Sequence, residues 1–151
     1  MNILILEDDM DKYVKIQSFL LEMLGNEINI VNKRSYNSSL VELSKKNNYD
    51  FVLMDMSMPT YDSDEDFESD DSESFAGKEL LEQMKFRKLN YPTIVITQYD
   101  TFGNNINKLT LDELVNELEE KFKSNYISTI YYNSSENDWK YQLNEEIRKI
   151  L

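Results

Sequence analysis

The chain has no cysteine and no histidine. Without cysteine there can be neither disulfides nor thiolate metal sites, and a reducing compartment is the simple reading. Without histidine the chain cannot donate a phosphoryl group from phosphohistidine, and it has no imidazole for a catalytic triad or a zinc site. Positive charge is scarce. Sixteen lysines and arginines face 29 aspartates and glutamates, a formal net charge of −13. That balance argues against nonspecific nucleic-acid binding, which needs a basic face. Glycine is scarce too, and Gly77 and Gly103 stand isolated, so no glycine-rich phosphate cradle is present. A long apolar run is also missing. The opening Asn2-Ile3-Leu4-Ile5-Leu6 is cut off by Glu7-Asp8-Asp9 and has no basic lead-in. It is too short for a membrane span and does not read as a signal peptide. These absences predict a soluble cytoplasmic protein with no membrane or nucleic-acid partner.

The 151 residues fit one domain with a full core. Much of the negative charge is local. Asp62, Asp64, Glu65, Asp66, Glu68, Asp70, Asp71 and Glu73 lie in a stretch with no base; the 29 acids less these eight leave 21 against 16 bases. This acidic run reads as a loop insert at about 60–75, polar, without period and expected to be mobile. Its bland reading is a solvated loop, and a cation or basic-partner site is the minor alternative.

Elsewhere, strand and helix patterns alternate. Asn2–Leu6, Ile28–Val31, Phe51–Met54, Thr93–Thr97 and Ile127–Tyr132 read as strands. Between and after them, 10–24, 35–46, 76–89, about 110–122 and 138–151 carry helical spacing. Asp9 is placed to cap the first helix, Gly25 to stop it, and Thr110 with Glu113 has capping-box spacing. Trp139, Leu143, Ile147 and Leu151 recur every four residues as a core stripe. Five strands alternating with five helices predict an α/β fold with a doubly wound parallel sheet.

The chemistry gathers at strand ends. Phe51–Met54 is apolar throughout, as expected of a strand covered on both faces, and it stops on Asp55, followed by Met56-Ser57-Met58-Pro59. The first strand stops on Glu7-Asp8, and the fourth on Thr97. In open α/β sheets, ligands gather at this carboxyl edge. Taken alone, Asp55 could simply form a turn and Thr97 could be an ordinary strand threonine; in register they form one set. Asp55 can act as a nucleophile toward a phosphoryl group. Asp8 with Glu7 can hold a small, hard cation, and magnesium prefers such oxygen ligands. Thr97 can supply a hydroxyl to a phosphoryl group.

With Gly77-Lys78-Glu79-Leu80-Leu81 opening the third helix and Pro92 preceding the fourth strand, the set resembles the receiver domain of two-component response regulators over nearly the whole chain. The resemblance implies flavodoxin-like receiver topology and Asp55 as phosphoacceptor. It implies Mg2+ held by Asp8 and Asp55, with Glu7 acting through a water and Ser57 lending its backbone carbonyl. Thr97 would contact the phosphoryl group. A histidine kinase would be the phosphodonor and a downstream effector protein the partner, with no output domain expected after Leu151. Beyond magnesium-dependent phosphorylation and dephosphorylation of Asp55 itself, no enzymatic activity is implied.

The chain departs from the family at strand five, where a lysine is expected. Thr129-Ile130-Tyr131-Tyr132-Asn133-Ser134 carries tyrosine there, with Tyr131 in the expected register, and a tyrosine has no positive charge near neutral pH. Either the phosphoryl contact is weakened, or another lysine such as Lys108 or Lys12 supplies it, or the domain no longer switches in the usual way. The alternative is a pseudo-receiver, an interaction module that is not phosphorylated. A third class, aspartyl-nucleophile phosphohydrolases, needs a second aspartate two residues after the nucleophile; here Met56 and Ser57 follow Asp55.

Overall fold

Residues Ile3 to Leu6 of β1 (Asn2–Leu6) are all buried, as are all four residues of β3 (Phe51–Met54) and all five of β4 (Thr93–Thr97). Strands covered on both faces belong in the middle of a parallel sheet. In the computed structural model, which describes residues 1–62, 72–73, 75–103 and 108–151, they lie there. With β2 (Asn29–Lys33) and β5 (Tyr126–Tyr131) at the edges, the order is β2-β1-β3-β4-β5. Every pairing between neighbours in this sheet is parallel.

Alternation divides the core in two. Leu4, Leu6, Val52, Met54 and Val95 face one side, under α2 (Tyr36–Ser44), α3 (Ala76–Phe86) and α4 (Leu111–Lys121). Ile3, Ile5, Phe51, Leu53, Ile94 and Ile96 face the other, under α1 (Met10–Leu24) and α5 (Asp138–Ile150). The α/β fold with a five-stranded parallel sheet is therefore as expected. Trp139 is core, edge-on to Phe19 at 5.7 Å and tilted against Tyr132 at 5.1 Å.

Local signals set the helix ends. The Asp9 carboxylate accepts from the backbone N–H groups of Asp11 and Lys12. Gly25 ends α1 at φ 89°, a conformation that favours glycine. The Thr110 hydroxyl accepts from the Glu113 N–H. Boundaries shift by a few residues. The second strand runs to Lys33 rather than Val31, because β1 continues to Leu6 and offers it a partner. The fifth begins and ends one residue earlier than expected.

Two short antiparallel ladders lie outside the main sheet. Met58–Pro59 pairs with Ser72–Glu73, so the stretch expected to be loop from 60 to 75 is paired near its far end. Thr101–Phe102 pairs with Leu109–Thr110 beyond β4. Two-residue ladders carry too little pattern to be read from sequence. The acidic residues 63–71, on which the mobile-loop expectation chiefly rests, lie outside the described residues.

Candidate functional site

The ends of β1 and β3 are neighbours because Leu6 pairs with Met54. The next residues, Glu7, Asp8 and Asp55, therefore converge. One carboxylate oxygen from each lies within 4.8 Å of the others. Glu7 and Asp55 are buried and Asp8 is partly buried. The Asp55 N–H donates to the Leu6 carbonyl at 3.0 Å, which locks the two strand ends together.

The loop after Asp55 holds its carboxylate. The Met56 N–H donates to Oδ1 at 2.7 Å, and the Ser57 N–H approaches the same oxygen at 3.5 Å. The loop itself rests on α3. The Gly77 N–H donates to the Met56 carbonyl at 2.9 Å. A Cβ on Gly77 would sit 2.8 Å from the Asp55 carbonyl oxygen and 3.0 Å from the Met56 Cα. Only glycine allows this approach.

The other Asp55 oxygen, Oδ2, meets a buried cation. Lys12 Nζ lies 3.2 Å from it, 2.5 Å from Glu7 Oε2, and donates to the Ile96 carbonyl at 2.7 Å. It stands 5.6 Å from the centre of the Tyr132 ring, within cation–π range. The Lys12 side chain is 1% exposed. Glu7 Oε1 accepts from the Asp9 N–H at 3.0 Å, so both Glu7 oxygens are engaged.

Three carboxylates around one ammonium are electrostatically unbalanced. Burial pushes Glu7 up to about 8, with Lys12 opposing the shift and Asp55 adding to it. Burial, and then Asp55, also raises Asp8. For Lys12, burial works against the charge, but Asp55 and Glu7 outweigh it and hold the pKa above the usual lysine range. A hard divalent cation would relieve this imbalance, and an all-oxygen donor set is what magnesium takes. The oxygen donors gathered here, one carboxylate each from Glu7, Asp8 and Asp55, fit the chemistry of such an ion.

Asp8, Asp55 and Ser57 open onto a cavity of about 470 Å³, whose far wall includes Gln98, Tyr99 and Phe102. Thr97 is fully buried at the end of β4, beside this cavity's Gln98 and Tyr99, and its Oγ1 accepts from the Tyr99 N–H at 3.3 Å. The structure thus brings Glu7, Asp8, Asp55 and Ser57 together and sets Thr97 at the adjoining strand end.

The expectation for strand five needs correcting. Tyr131, read as standing at the lysine position, pairs with Thr97 in register but is 46% exposed. Tyr132 is the tyrosine that turns inward, onto Lys12. The buried cation comes from α1. A signal for it was present: Lys12, Ile16 and Leu20 recur every four residues and are the buried residues of that helix. A lysine on an apolar stripe, one turn past an acidic cluster, is an unusual placement.

No protein-family model matches the chain. Among proteins of similar sequence is the Detocs response regulatory protein DtcB of Enterobacter cloacae (strain JD6301), 26% identical over 151 residues, covering 99% of this chain and 100% of that one. An uncharacterized protein, y4jR, of Sinorhizobium fredii is 27% identical over 92 residues, 60% of this chain and 61% of its own. Among solved structures, the signal receiver domain of a LuxO repressor protein from Vibrio parahaemolyticus superposes with a TM-score of 0.62 at 12% identity, covering 99% of this chain and 91% of that one. The fold is that of a response regulator receiver domain. A CheX–CheY complex with BeF3 and magnesium from Borrelia burgdorferi gives a receiver match of TM-score 0.63 at 16% identity, over 99% of this chain and 88% of that one. In this receiver fold the carboxyl edge of β1 and β3 is the edge where Glu7, Asp8 and Asp55 meet. Among the described residues, no helix is long and apolar enough to cross a membrane.

Proposed function

We propose that this chain is a phosphoacceptor receiver in two-component signalling, taking a phosphoryl group on Asp55. The observation that carries the reading is the convergence of Glu7, Asp8 and Asp55 within 4.8 Å at the end of a receiver sheet. The receiver fold and the similarity to a response regulatory protein along the full chain support it.

The step is an in-line displacement. An Asp55 carboxylate oxygen attacks phosphorus, an O–P bond forms, and the bond to the donor's leaving group breaks with its electron pair. The Met56 N–H, already on Oδ1, fixes the carboxylate so that its orientation needs no further ordering. Asp8 and Asp55, with the Ser57 carbonyl and with Glu7 through a water, would hold a magnesium ion, whose chemistry would be charge neutralisation at the phosphoryl oxygens. The Thr97 hydroxyl would turn from its present role as acceptor toward a phosphoryl oxygen, as a donor. In this reading the phosphodonor is a phosphohistidine of a kinase, and it lies on another protein because this chain has no histidine. Signalling then passes to an effector protein in the cytoplasm.

The pseudo-receiver reading draws on one observation: β5 ends on Tyr131, followed by Tyr132, with no lysine there. Beryllofluoride with magnesium separates the two. A phosphoacceptor should bind it, with chemical shifts moving around Asp55 and Thr97, and Asp55→Asn should abolish the response. If the wild type shows no response to beryllofluoride and none to acetyl phosphate, the pseudo-receiver reading stands instead.

A further inference from the structure

Lys12 sits where two physical effects oppose it. It lies in the first turn of α1, where the helix N-terminus carries partial positive charge. Its side chain is also buried, and desolvating an ammonium is costly. Its neighbours on the same stripe, Ile16 and Leu20, are apolar, and Tyr132 presents a ring to it. An apolar side chain of similar length would suit those neighbours without the desolvation cost. Three acceptors hold the charge there instead: Glu7 Oε2, Asp55 Oδ2 and the Ile96 carbonyl. Two of these belong to the acidic site, and the third immediately precedes Thr97.

We propose that Lys12 is the cation that contacts the phosphoryl group on Asp55, supplied from α1 rather than from β5. The inference rests on Asp55 being the acceptor. Lys12 Nζ is 3.2 Å from the Asp55 oxygen on the side away from the Met56 and Ser57 N–H groups. As the O–P bond forms and the leaving group departs with its electron pair, charge builds on the equatorial phosphoryl oxygens. An ammonium already within reach stabilises that charge without new ordering. No proton moves from Lys12; it shifts hydrogen bonds from the carboxylates toward the phosphoryl oxygens. Because the same Nζ also holds the Ile96 carbonyl, this shift pulls on β4 next to Thr97. Phosphorylation is then read through α1 and β4, with the Tyr132 ring beside the cation.

The absence of cysteine makes a clean test available. Lys12→Cys creates the single thiol of the chain. Alkylation with 2-bromoethylamine under mild denaturation, followed by refolding, rebuilds an ammonium at nearly lysine length. The rate of Asp55 phosphorylation by acetyl phosphate with magnesium is measured for the wild type, Lys12→Cys before and after alkylation, and Lys12→Met/Tyr132→Lys, with circular dichroism confirming each fold. The loss of one charge-assisted contact should slow Lys12→Cys by roughly ten- to a hundredfold. Alkylation should restore most of the rate, and the double variant should recover part of it by returning the ammonium from strand five. If Lys12→Cys is too unstable to fold before alkylation, the comparison of the alkylated protein and the double variant with Lys12→Met at saturating magnesium decides the same point. Phosphorylation of a folded charge-free variant at the wild-type rate would overturn the assignment of Lys12 while leaving Asp55 as the acceptor. Failure of the wild type itself to be phosphorylated would remove the acceptor reading and this one with it.

Discussion

Asp8 and Asp55 lie close enough to repel each other, and Asp8 is held above the usual aspartate range by burial and by Asp55. Removing one carboxylate should therefore cost little in the metal-free protein. It should, however, abolish most of the gain from magnesium, which by linkage amounts to about 2.7 kcal/mol at a hundredfold excess over the dissociation constant. Thermal melts should rise with magnesium for the wild type and hardly move for Asp8→Ala; an equal rise in both would exclude Asp8 as a ligand. Glu42 presents a different single-residue case, remote from this site. Its buried carboxylate accepts from the Tyr49 hydroxyl at 2.6 Å and from Asn47 and Lys45, and the Tyr49 bond is the chief cause that holds its pKa below the usual glutamate range near 4.5. A depressed carboxylate contributes stability that is present above the unfolded value and lost as pH falls through the folded one. Wild type should therefore exceed Glu42→Gln in melting temperature at neutral pH, and the gap should close in acid, where both side chains are neutral. A gap that persists unchanged into acid would contradict this. Glu42→Ala should cost about 1–3 kcal/mol, because it leaves the buried Tyr49 hydroxyl without this acceptor.

At the scale of elements, the contact between the Asp55 loop and α3 sets the position of the proposed acceptor. Alanine in place of Gly77 gains helix propensity, up to about 1 kcal/mol. Its Cβ would press on the Asp55 carbonyl and the Met56 Cα, both backbone, and overpacking of this kind costs about 1–3 kcal/mol. The second effect should win by a modest margin. The sharper consequence is a displaced Asp55, so Gly77→Ala should be phosphorylated several-fold more slowly as well as melting slightly lower. A variant that melts higher and reacts at the wild-type rate would show that the close approach is not needed. The strands were legible because Ile3–Leu6 and Phe51–Met54 are short unbroken apolar runs and because each central strand stops on a polar residue. The ladder of Met58–Pro59 with Ser72–Glu73 was not, since its partners are separated by the acidic run and have no period. Lys12 was only half legible. Its spacing with Ile16 and Leu20 marks the buried face, but a lysine on an amphipathic helix ordinarily reaches water, and only the folded arrangement of β1, β3 and α1 shows that here it meets two carboxylates.

For the whole molecule, function depends on a parallel sheet that delivers three acids to one edge from strand ends far apart in sequence, with helix α1 returning a cation to the same point. This division of labour explains how a chain of net charge −13 with no lysine at the end of β5 can keep a compensated acidic site. The direct measurement is intact mass spectrometry of the wild type and Asp55→Asn after incubation with acetyl phosphate and magnesium, followed by borohydride reduction to mark the modified aspartate. The wild type should gain the mass of one phosphoryl group and show homoserine at position 55 after reduction, and Asp55→Asn should gain nothing. An unmodified wild type, or an increment that survives in Asp55→Asn, would contradict this.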